Sequence, residues 1–316
     1  MIRENGRVST RFHGYLYNIG MLNARTASKI DALLDQYAAL REDNSEAIAE
    51  IARAEVAESV YNSNAIENST LTLEDTENIL AGFTTRAHDL REVFEAKNLA
   101  DVTEELIRGV GKLDANLILR LHGILLRGIN DDWAGHFRRR GEWVRVGAHM
   151  GANPEYVDRL VDTAIAEYYE DTSFFVDRIA RFHAEFETIH PFSDGNGRIG
   201  RVIINQQLLE LGAPPIIIPN KGKERHYYPV FRGYPVSGDF SALSTLIARQ
   251  LVESLHKRIT LMTAPKVIRL AEWAKANGVS GSAAANKAAR GTIPAFRQRG
   301  TWMIDAQYGS DNKGRG

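Results

Sequence analysis

The stretch His190-Pro191-Phe192-Ser193-Asp194-Gly195-Asn196-Gly197-Arg198-Ile199-Gly200-Arg201 concentrates side chains that can do chemistry. His190 is the one nearby group able to take a proton near neutral pH. An apolar run ends just before it, and Pro191 prevents simple continuation of a helix. Asp194-Gly195-Asn196-Gly197 reads as a tight turn of residues that tolerate positive φ. A new helix starts at Asn196 or Gly197. Its first N–H groups lack intrahelical partners, and its dipole favours negative charge. Glycines let a ligand reach that backbone, and Arg198 and Arg201 stand three apart on one face. The pattern is an anion nest with two guanidiniums, suited to a polyphosphate. Asp194, at its mouth, could hold a Mg²⁺ that bridges phosphates. Taken one at a time, the same residues also read as a turn, a helix-end histidine and a solvated arginine face.

The elements that must position this segment are mostly helical. Residues 26–41 place Ile30, Leu33, Leu34, Tyr37 and Leu40 at helical spacing. Residues 46–67, 73–82, 91–109, 115–128, 157–170, 197–211 and 239–262 continue the rhythm. In 174–189, Phe175, Ile179, Phe182, Phe186 and Ile189 form one stripe. Residues 137–147 carry the signal of a short strand or hairpin, and residues 292–305 that of two short strands about a Gly-containing turn. Thr263-Ala264-Pro265 marks a boundary, and the small polar residues 309–316 read as a disordered tail.

The 190–201 segment resembles the Fic-domain signature, His-x-Phe-x-(Asp/Glu)-Gly-Asn-Gly-Arg-x-x-Arg, at every fixed position, and the resemblance extends over residues 50–262. It implies a mainly α fold: a Fic helical bundle with a β-hairpin flap. It implies transfer of AMP from ATP to a Ser, Thr or Tyr hydroxyl of a target protein. In that reading His190 is the general base and Asp194 holds Mg²⁺. Gly195, Asn196, Gly197 and Arg198 cradle phosphate, and Arg201 pairs with the γ-phosphate. The flap matches Val146-Gly147-Ala148-His149, preceded by Gly135-His136-Phe137-Arg138. Tyr227 and Tyr228 lie where the family uses two tyrosines beside the nucleotide; ordinary packing is their other reading. The acidic residue at 194 together with Gly197-Arg198 favours adenylyl transfer over other nucleotide or phosphate chemistry.

Ser63-Asn64-Ala65-Ile66-Glu67-Asn68 resembles the Fic inhibitory motif, (Ser/Thr)-x-x-x-Glu-(Gly/Asn). Ser63 and Glu67 are an i,i+4 pair, and Glu67 could reach Arg201 in a charge-assisted pair. The γ-phosphate would then lose its guanidinium. An exposed helix-end glutamate is the alternative.

The charge balance points to a second activity. The 316-residue chain has 39 Lys+Arg against 40 Asp+Glu, a net charge of −1, which argues against a nucleic-acid partner. The average hides nine basic and three acidic side chains in residues 266–316, or +6, against −7 in residues 1–265. Residues 266–308 resemble small winged helix-turn-helix modules of the excisionase and MerR type. Lys287 and Arg290 would sit on the recognition helix, and Arg297 and Arg299 on the wing. A basic protein-interaction module is the alternative. No cysteine is present, which excludes disulfides and thiolate chemistry, and no run approaches a membrane span.

The expected organisation is an N-terminal helical region with the inhibitory helix (1–100), a Fic core (101–262), the winged module (266–308) and the tail (309–316). The expected protein is a cytoplasmic adenylyltransferase using ATP and Mg²⁺, restrained by Ser63, Glu67 and Asn68. Its expected partners are a target protein (itself included) and DNA, and it is expected to be a homodimer. Two alternatives stand beside it: a DNA-binding regulator whose Fic domain senses nucleotide or modifies the chain itself, and deadenylylation or transfer of another nucleotide.

Overall fold

The computed structural model describes residues 9–12, 15–18, 22–83, 88–147 and 149–309. The elements in chain order are β1 (Ser9–Phe12), β2 (Tyr15–Asn18), α1 (Ala24–Asp43), α2 (Ser45–Ile66), α3 (Leu73–Leu80), α4 (Leu90–Arg108) and α5 (Ala115–Leu125). There follow β3 (Arg145–Val146), β4 (His149–Met150), α6 (Val157–Glu170), α7 (Phe175–Ile189), α8 (Asn196–Glu210), α9 (Lys223–His226), α10 (Tyr234–Ser237) and α11 (Ser241–Thr263). The last are β5 (Val267–Arg269), α12 (Leu270–Ala276), α13 (Gly281–Ala289), β6 (Phe296–Gln298) and β7 (Thr301–Asp305). The fold is mainly α, as the periodicities require, and its sheets are small. Among the described residues no helix is long and apolar enough to cross a membrane.

The chain divides into two compact units. The first comprises Met1–Asn23, Ala54–Ala213 and Ile217–Ile247; the second comprises Ala24–Arg53, Pro214–Ile216 and Ala248–Gly316. In the first, α8 packs against α4, α5 and α7. It is buried nearly all round, from Asn196 through Ile199 and Ile203 to Leu208. The stripe on α7 is buried as its spacing predicts, at Ile179, Phe182, Phe186 and Ile189. Caps set the helix starts. Asp114 accepts from the Leu117 N–H at 2.7 Å, and Thr72 with Asp75 makes a reciprocal capping box ahead of α3.

The hairpin lies further along the chain than the 137–147 pattern suggests. Its paired residues are Arg145 with Met150 and Val146 with His149. Trp143 is outside the ladder and exposed. The reason is Arg138, whose side chain turns inward onto backbone carbonyls and holds the preceding residues in turns. Ala148 lies outside the described residues, as does the expected tail beyond Gly309.

In the second unit, β5, β7 and β6 form an antiparallel sheet in that order. With α12 and α13 they enclose a small core of Leu270, Trp273, Ala274, Ala284, Ala288, Ile293, Ala295 and Ile304. The two strands expected in 292–305 are β6 and β7. The third, β5, has only three residues beside the Pro265 boundary and shows no alternation of its own. Ser280 is the N-cap of α13, accepting from the Ala283 N–H at 3.2 Å.

Candidate active site

The 190–201 segment lies between α7 and α8. His190 ends α7 in the left-handed region (φ 53°), a conformation costly for a side-chain-bearing residue. Two contacts hold it there. Its N–H donates to Phe186 O at 2.9 Å, and Arg138 Nε donates to its carbonyl at 2.8 Å. Arg138 is 3% exposed and also donates to Glu142 O, Ala152 O and Ile189 O. One buried guanidinium thus joins the flap segment to the histidine.

His190 Nδ1 lies 3.3 Å from Glu187 O. That contact assigns the proton to Nδ1 and leaves Nε2 bare. Burial drives the His190 pKa down to about 4, so the ring is a neutral base at pH 7. Glu187 Oε2 stands 3.7 Å from Nδ1. Burial and the nearby Glu67 charge push the Glu187 carboxyl up to about 8.

The loop that follows is closed by Asn196. Its Oδ1 accepts from Phe192 N–H and its Nδ2 donates to Phe192 O, both at 2.8 Å. The Asn196 side chain therefore builds the cradle and does not line it. His122 supports the loop from beneath. Its ring stacks on Phe192, 3.6 Å between centroids and 6° from parallel. Its Nδ1 accepts from the Gly135 N–H at 3.1 Å, which leaves Nε2 to donate to Asp194 O at 3.0 Å. Gly195 (φ 81°) begins α8, and a Cβ there would press on Leu125.

Asp194 and Arg198 belong to a ring of four charges. Asp194 Oδ1 accepts from Arg198 Nη2 at 3.0 Å and from the Gly195 N–H at 2.6 Å. Asp194 Oδ2 accepts from Arg91 Nη2 at 2.6 Å. Arg91 Nε donates to Glu95 Oε1 at 3.1 Å, and Arg198 Nη1 lies 3.0 Å from that same oxygen. Burial alone would raise the Asp194 pKa, but Arg198, the Gly195 N–H and Arg91 hold it below the usual carboxylate range. Arg198 is buried, and among the described residues its Nε and Nη1 make no hydrogen bond, so the Nη1–Glu95 contact is an ion pair alone.

Arg201 is fully engaged. Nε donates to Ser63 Oγ at 3.0 Å, Nη2 to Ser63 O at 2.9 Å and to Glu67 Oε1 at 2.8 Å, and Nη1 to Tyr227 OH at 3.3 Å. The pairing of Glu67 with Arg201 expected from the inhibitory-motif resemblance is present. The Glu67 carboxylate also lies over the first turn of α8, so close that a Cβ on Gly197 would collide with it. A carboxylate there sits where the helix end favours an anion. Asn68 adopts φ 71° just past α2, which explains why Gly or Asn suits that position.

The two tyrosines divide their roles. Tyr227 is buried beside Arg201, its ring centroid 5.7 Å from the guanidinium. Tyr228 OH donates to Ile66 O, at the end of α2. Lys223 grips that same end, its Nζ donating to Ala65 O (2.7 Å), Ile66 O (2.9 Å) and Asn68 Oδ1 (2.7 Å). A cation on the last carbonyls of a helix is favourable. In the hairpin, Val146 pairs with His149, Gly147 has φ 56°, and His149 Nε2 is buried without a hydrogen-bond partner among the described residues.

Residues 112–208 match the Fic/DOC family model. The chain carries a Fic domain. Its curated relatives include proteins named protein adenylyltransferase Fic from Drosophila melanogaster, 30% identical over 216 residues, and Drosophila willistoni, 31% identical over 217 residues. Each alignment takes in 66% of this chain but only 43% and 42% of the relatives. The chain therefore spans less than half the length of these curated relatives. Among solved structures, Fic-1 from C. elegans superposes with a TM-score of 0.61 at 26% identity, covering 75% of this chain and 73% of that one. A Fic family protein from Desulfovibrio desulfuricans G20 gives 0.62 at 23% identity, covering 90% and 88%, a likeness of fold alone.

The Fic signature residues are together on one loop and one helix start. Spacing did not reveal their supports: Arg91 and Glu95 on α4, His122 on α5, Arg138, and Lys223. An i,i+4 Arg–Glu pair at 91 and 95 is visible in the sequence, but nothing local ties it to Asp194, 103 residues away in the chain. In the second unit, Lys287 is exposed on α13, Arg290 is exposed at its C-cap, and Arg299 is exposed in the β6–β7 turn. Arg297 differs from the wing role. Glu253 holds it through Nε to Oε1 (2.9 Å) and Nη2 to Oε2 (2.6 Å), and its guanidinium lies 4.9 Å from the Trp302 ring centroid. That pairing occupies Nε and Nη2 within the unit and leaves the side chain 30% exposed.

Proposed function

We propose that this chain is a protein adenylyltransferase that moves AMP from ATP to a Ser, Thr or Tyr hydroxyl of a target protein, with itself among the candidates. The observation that carries the reading is His190, its Nδ1 turned to Glu187 O at 3.3 Å, beside a helix N-terminus that bears the buried Arg198; burial keeps the ring neutral, so Nε2 is the nitrogen left to accept a proton. Nε2 takes the hydroxyl proton as the oxygen attacks the α-phosphorus. The bond from that phosphorus to the bridging oxygen breaks, and pyrophosphate leaves with the electron pair. Arg198 and the first amides of α8 would hold phosphate oxygens, and Arg201 the γ-phosphate.

Mg²⁺ fits the donor chemistry at Asp194. This cation is commonly held by one or two carboxylates and completed by phosphate oxygens and water, and Asp194 is an ionised carboxylate next to the phosphate cradle. Among the described residues no group of three or more acidic or histidine side chains could hold a metal without such help. When bound, the cation would neutralise phosphate charge. Glu67 is the brake: it engages Arg201 and covers the start of α8.

Intact mass spectrometry of wild type and Glu67→Gly with Mg²⁺-ATP, alone and in lysate, tests the reading. Gain of one AMP mass on a protein, lost in His190→Ala, is the expected result. No covalent product in any arm, or a different mass increment, overturns it.

A second reading concerns the C-terminal module. The order β5–α12–α13–β6–β7, with Asn286 and Lys287 exposed on α13 and Arg290 exposed at its C-cap, supports a winged helix-turn-helix that docks DNA. One short helix reads too few bases for specificity, so a cytoplasmic homodimer is the setting this requires.

A further inference from the structure

Arg91 has no reason of its own to be where it is. It lies in the first turn of α4, two residues after the Asp89 cap, whose Oδ1 accepts from the Arg91 N–H at 2.9 Å. A cation is unfavourable at that end of a helix. Its side chain is about half exposed, at 52%, and could extend into solvent. Instead it reaches across to Asp194 and is steadied by Glu95.

What it does there follows from counting lone pairs on Asp194. Oδ1 is saturated by two donors, the Gly195 N–H and Arg198 Nη2. Oδ2 is the oxygen left for a cation, and its one hydrogen bond comes from Arg91 Nη2, at 2.6 Å. A magnesium ion binds a carboxylate oxygen at about 2.0–2.1 Å. An ion arriving at Oδ2 must either displace the guanidinium or share the oxygen with it, two positive charges within a few ångströms. Both outcomes weaken the cation. Arg198, in contrast, is buried at 3% exposure and is held from the other side by Glu95, so it does not yield.

We propose that Arg91 is a guard on Asp194: its guanidinium competes with the divalent cation for Oδ2 and so sets how readily the cation loads. The proposal rests on the reading of Asp194 as the ligand of a nucleotide-bound cation. Loading swings the half-exposed Arg91 outward, where Glu95 keeps it within reach, and unloading lets it return. Arg91 is in this sense a positioning residue for the charge at Asp194, and it takes no part in bond making.

The test is Mn²⁺ binding to the full chain, read from the free-ion electron paramagnetic resonance signal. Mn²⁺ is titrated alone and with a non-hydrolysable ATP analogue. Arg91→Ala should tighten Mn²⁺ roughly 3- to 10-fold, the scale of losing a part-exposed charge pair and one like-charge neighbour. Arg91→Lys keeps the charge on a shorter-reaching ammonium and should fall between the two. Asp194→Asn should remove the binding in both backgrounds, and melting temperatures of the Arg91 variants should stay near wild type. Unchanged or weaker Mn²⁺ binding in Arg91→Ala overturns the guard, and weaker binding with the analogue alone would make Arg91 a phosphate ligand instead. Mn²⁺ binding that survives Asp194→Asn, or no binding in any variant, also overturns it. The adenylyl-transfer reading is judged separately, by the mass of the product. If the chain binds Mn²⁺ as described but transfers no AMP, that reading fails and the guard stands.

Discussion

Replacing Glu67 with Gly should raise AMP transfer while costing the fold little. Arg201 makes four hydrogen bonds, and three of them, to Ser63 Oγ, Ser63 O and Tyr227 OH, survive the substitution. The guanidinium therefore stays in place and is not left as an unpaired buried charge. A hydrogen bond to a charged group is worth about 1.5–3 kcal/mol. Glu67 is 40% exposed, so screening reduces this to about 1–2 kcal/mol. Released to the γ-phosphate, that energy corresponds to roughly a 5- to 30-fold rise in productively bound nucleotide. Initial rates by intact mass spectrometry at fixed Mg²⁺-ATP measure it. Glu67→Gln, which keeps the bulk over Gly197 without the charge, should fall between wild type and Gly. The melting temperature should drop by no more than about 2–4 °C, as expected for a loss of about 1–2 kcal/mol in a chain of this size. Equal rates for wild type and Glu67→Gly would refute the reasoning. So would an undiminished gain in an Arg201→Ala background, since the route through Arg201 would then be wrong.

Other perturbations follow from the same geometry. Lys223→Ala should release part of the brake, about 2- to 5-fold in rate, with faster amide exchange in residues 62–68, because three acceptors at the end of α2 lose their donor. Gly200→Ala would drive a Cβ into His183 and Glu187 and should cost about 1–3 kcal/mol in urea unfolding. Burial lowers four histidines: His122, His190 and His256 to about 4 and His183 to about 3. Each folded value lies below the ordinary 6.5, so the unfolded chain binds the extra protons. The histidine contribution to stability should be level above about pH 6.5 and fall below it by at most about 1.4 kcal/mol per pH unit per histidine until the folded values are passed, while Glu187, raised from 4.5 to about 8, contributes the opposite slope and loses its share as pH rises between those values; urea titrations between pH 5 and pH 9 would register both limbs. The acid limb of transfer should lie well below 6.5 for the same reason. Lys287→Ala with Arg290→Ala should lower the salt dependence of any DNA binding by about two counterions and leave transfer intact.

The parts of the site that were legible in the sequence are those whose partners are close in the chain. The turn at 194–197, the start of α8 and the stripe on α7 each follow from spacing within one or two turns. The pairing of Glu67 with Arg201 spans 134 residues, and it was legible only because a short motif carried it. The flap resemblance places Arg138 ahead of the hairpin but gives it no part in holding His190. An arginine between Phe137 and Arg139 reads as surface, yet it is among the most buried side chains because four carbonyls converge on it. The same holds for His122, which looks like one more residue of an apolar helix until Phe192 stacks on it. Spacing exposes groups that act on a ligand, since the ligand forces them to converge locally. It hides the groups that hold them, since any element the fold brings near can supply those.

That division also bears on how the brake is built. His190 and Asn68 are two of the three described non-glycine residues with positive φ. Each ends a helix, each carries a functional side chain just past the last turn, and each is tied down by a cation from a distant segment. Arg138 binds the His190 carbonyl, and Lys223 binds the Asn68 side chain together with the last carbonyls of α2. The proposed base and the proposed inhibitory glutamate are thus held by equivalent devices, a strained helix end plus a basic clamp, but the clamps differ in strength. Arg138 is fully enclosed, whereas Lys223 is only partly buried and its bond to Asn68 is exposed. A perturbation that loosens both helix ends equally would therefore free Glu67 first and leave His190 in register, which is the order an inhibited transferase needs in order to be switched on without being dismantled.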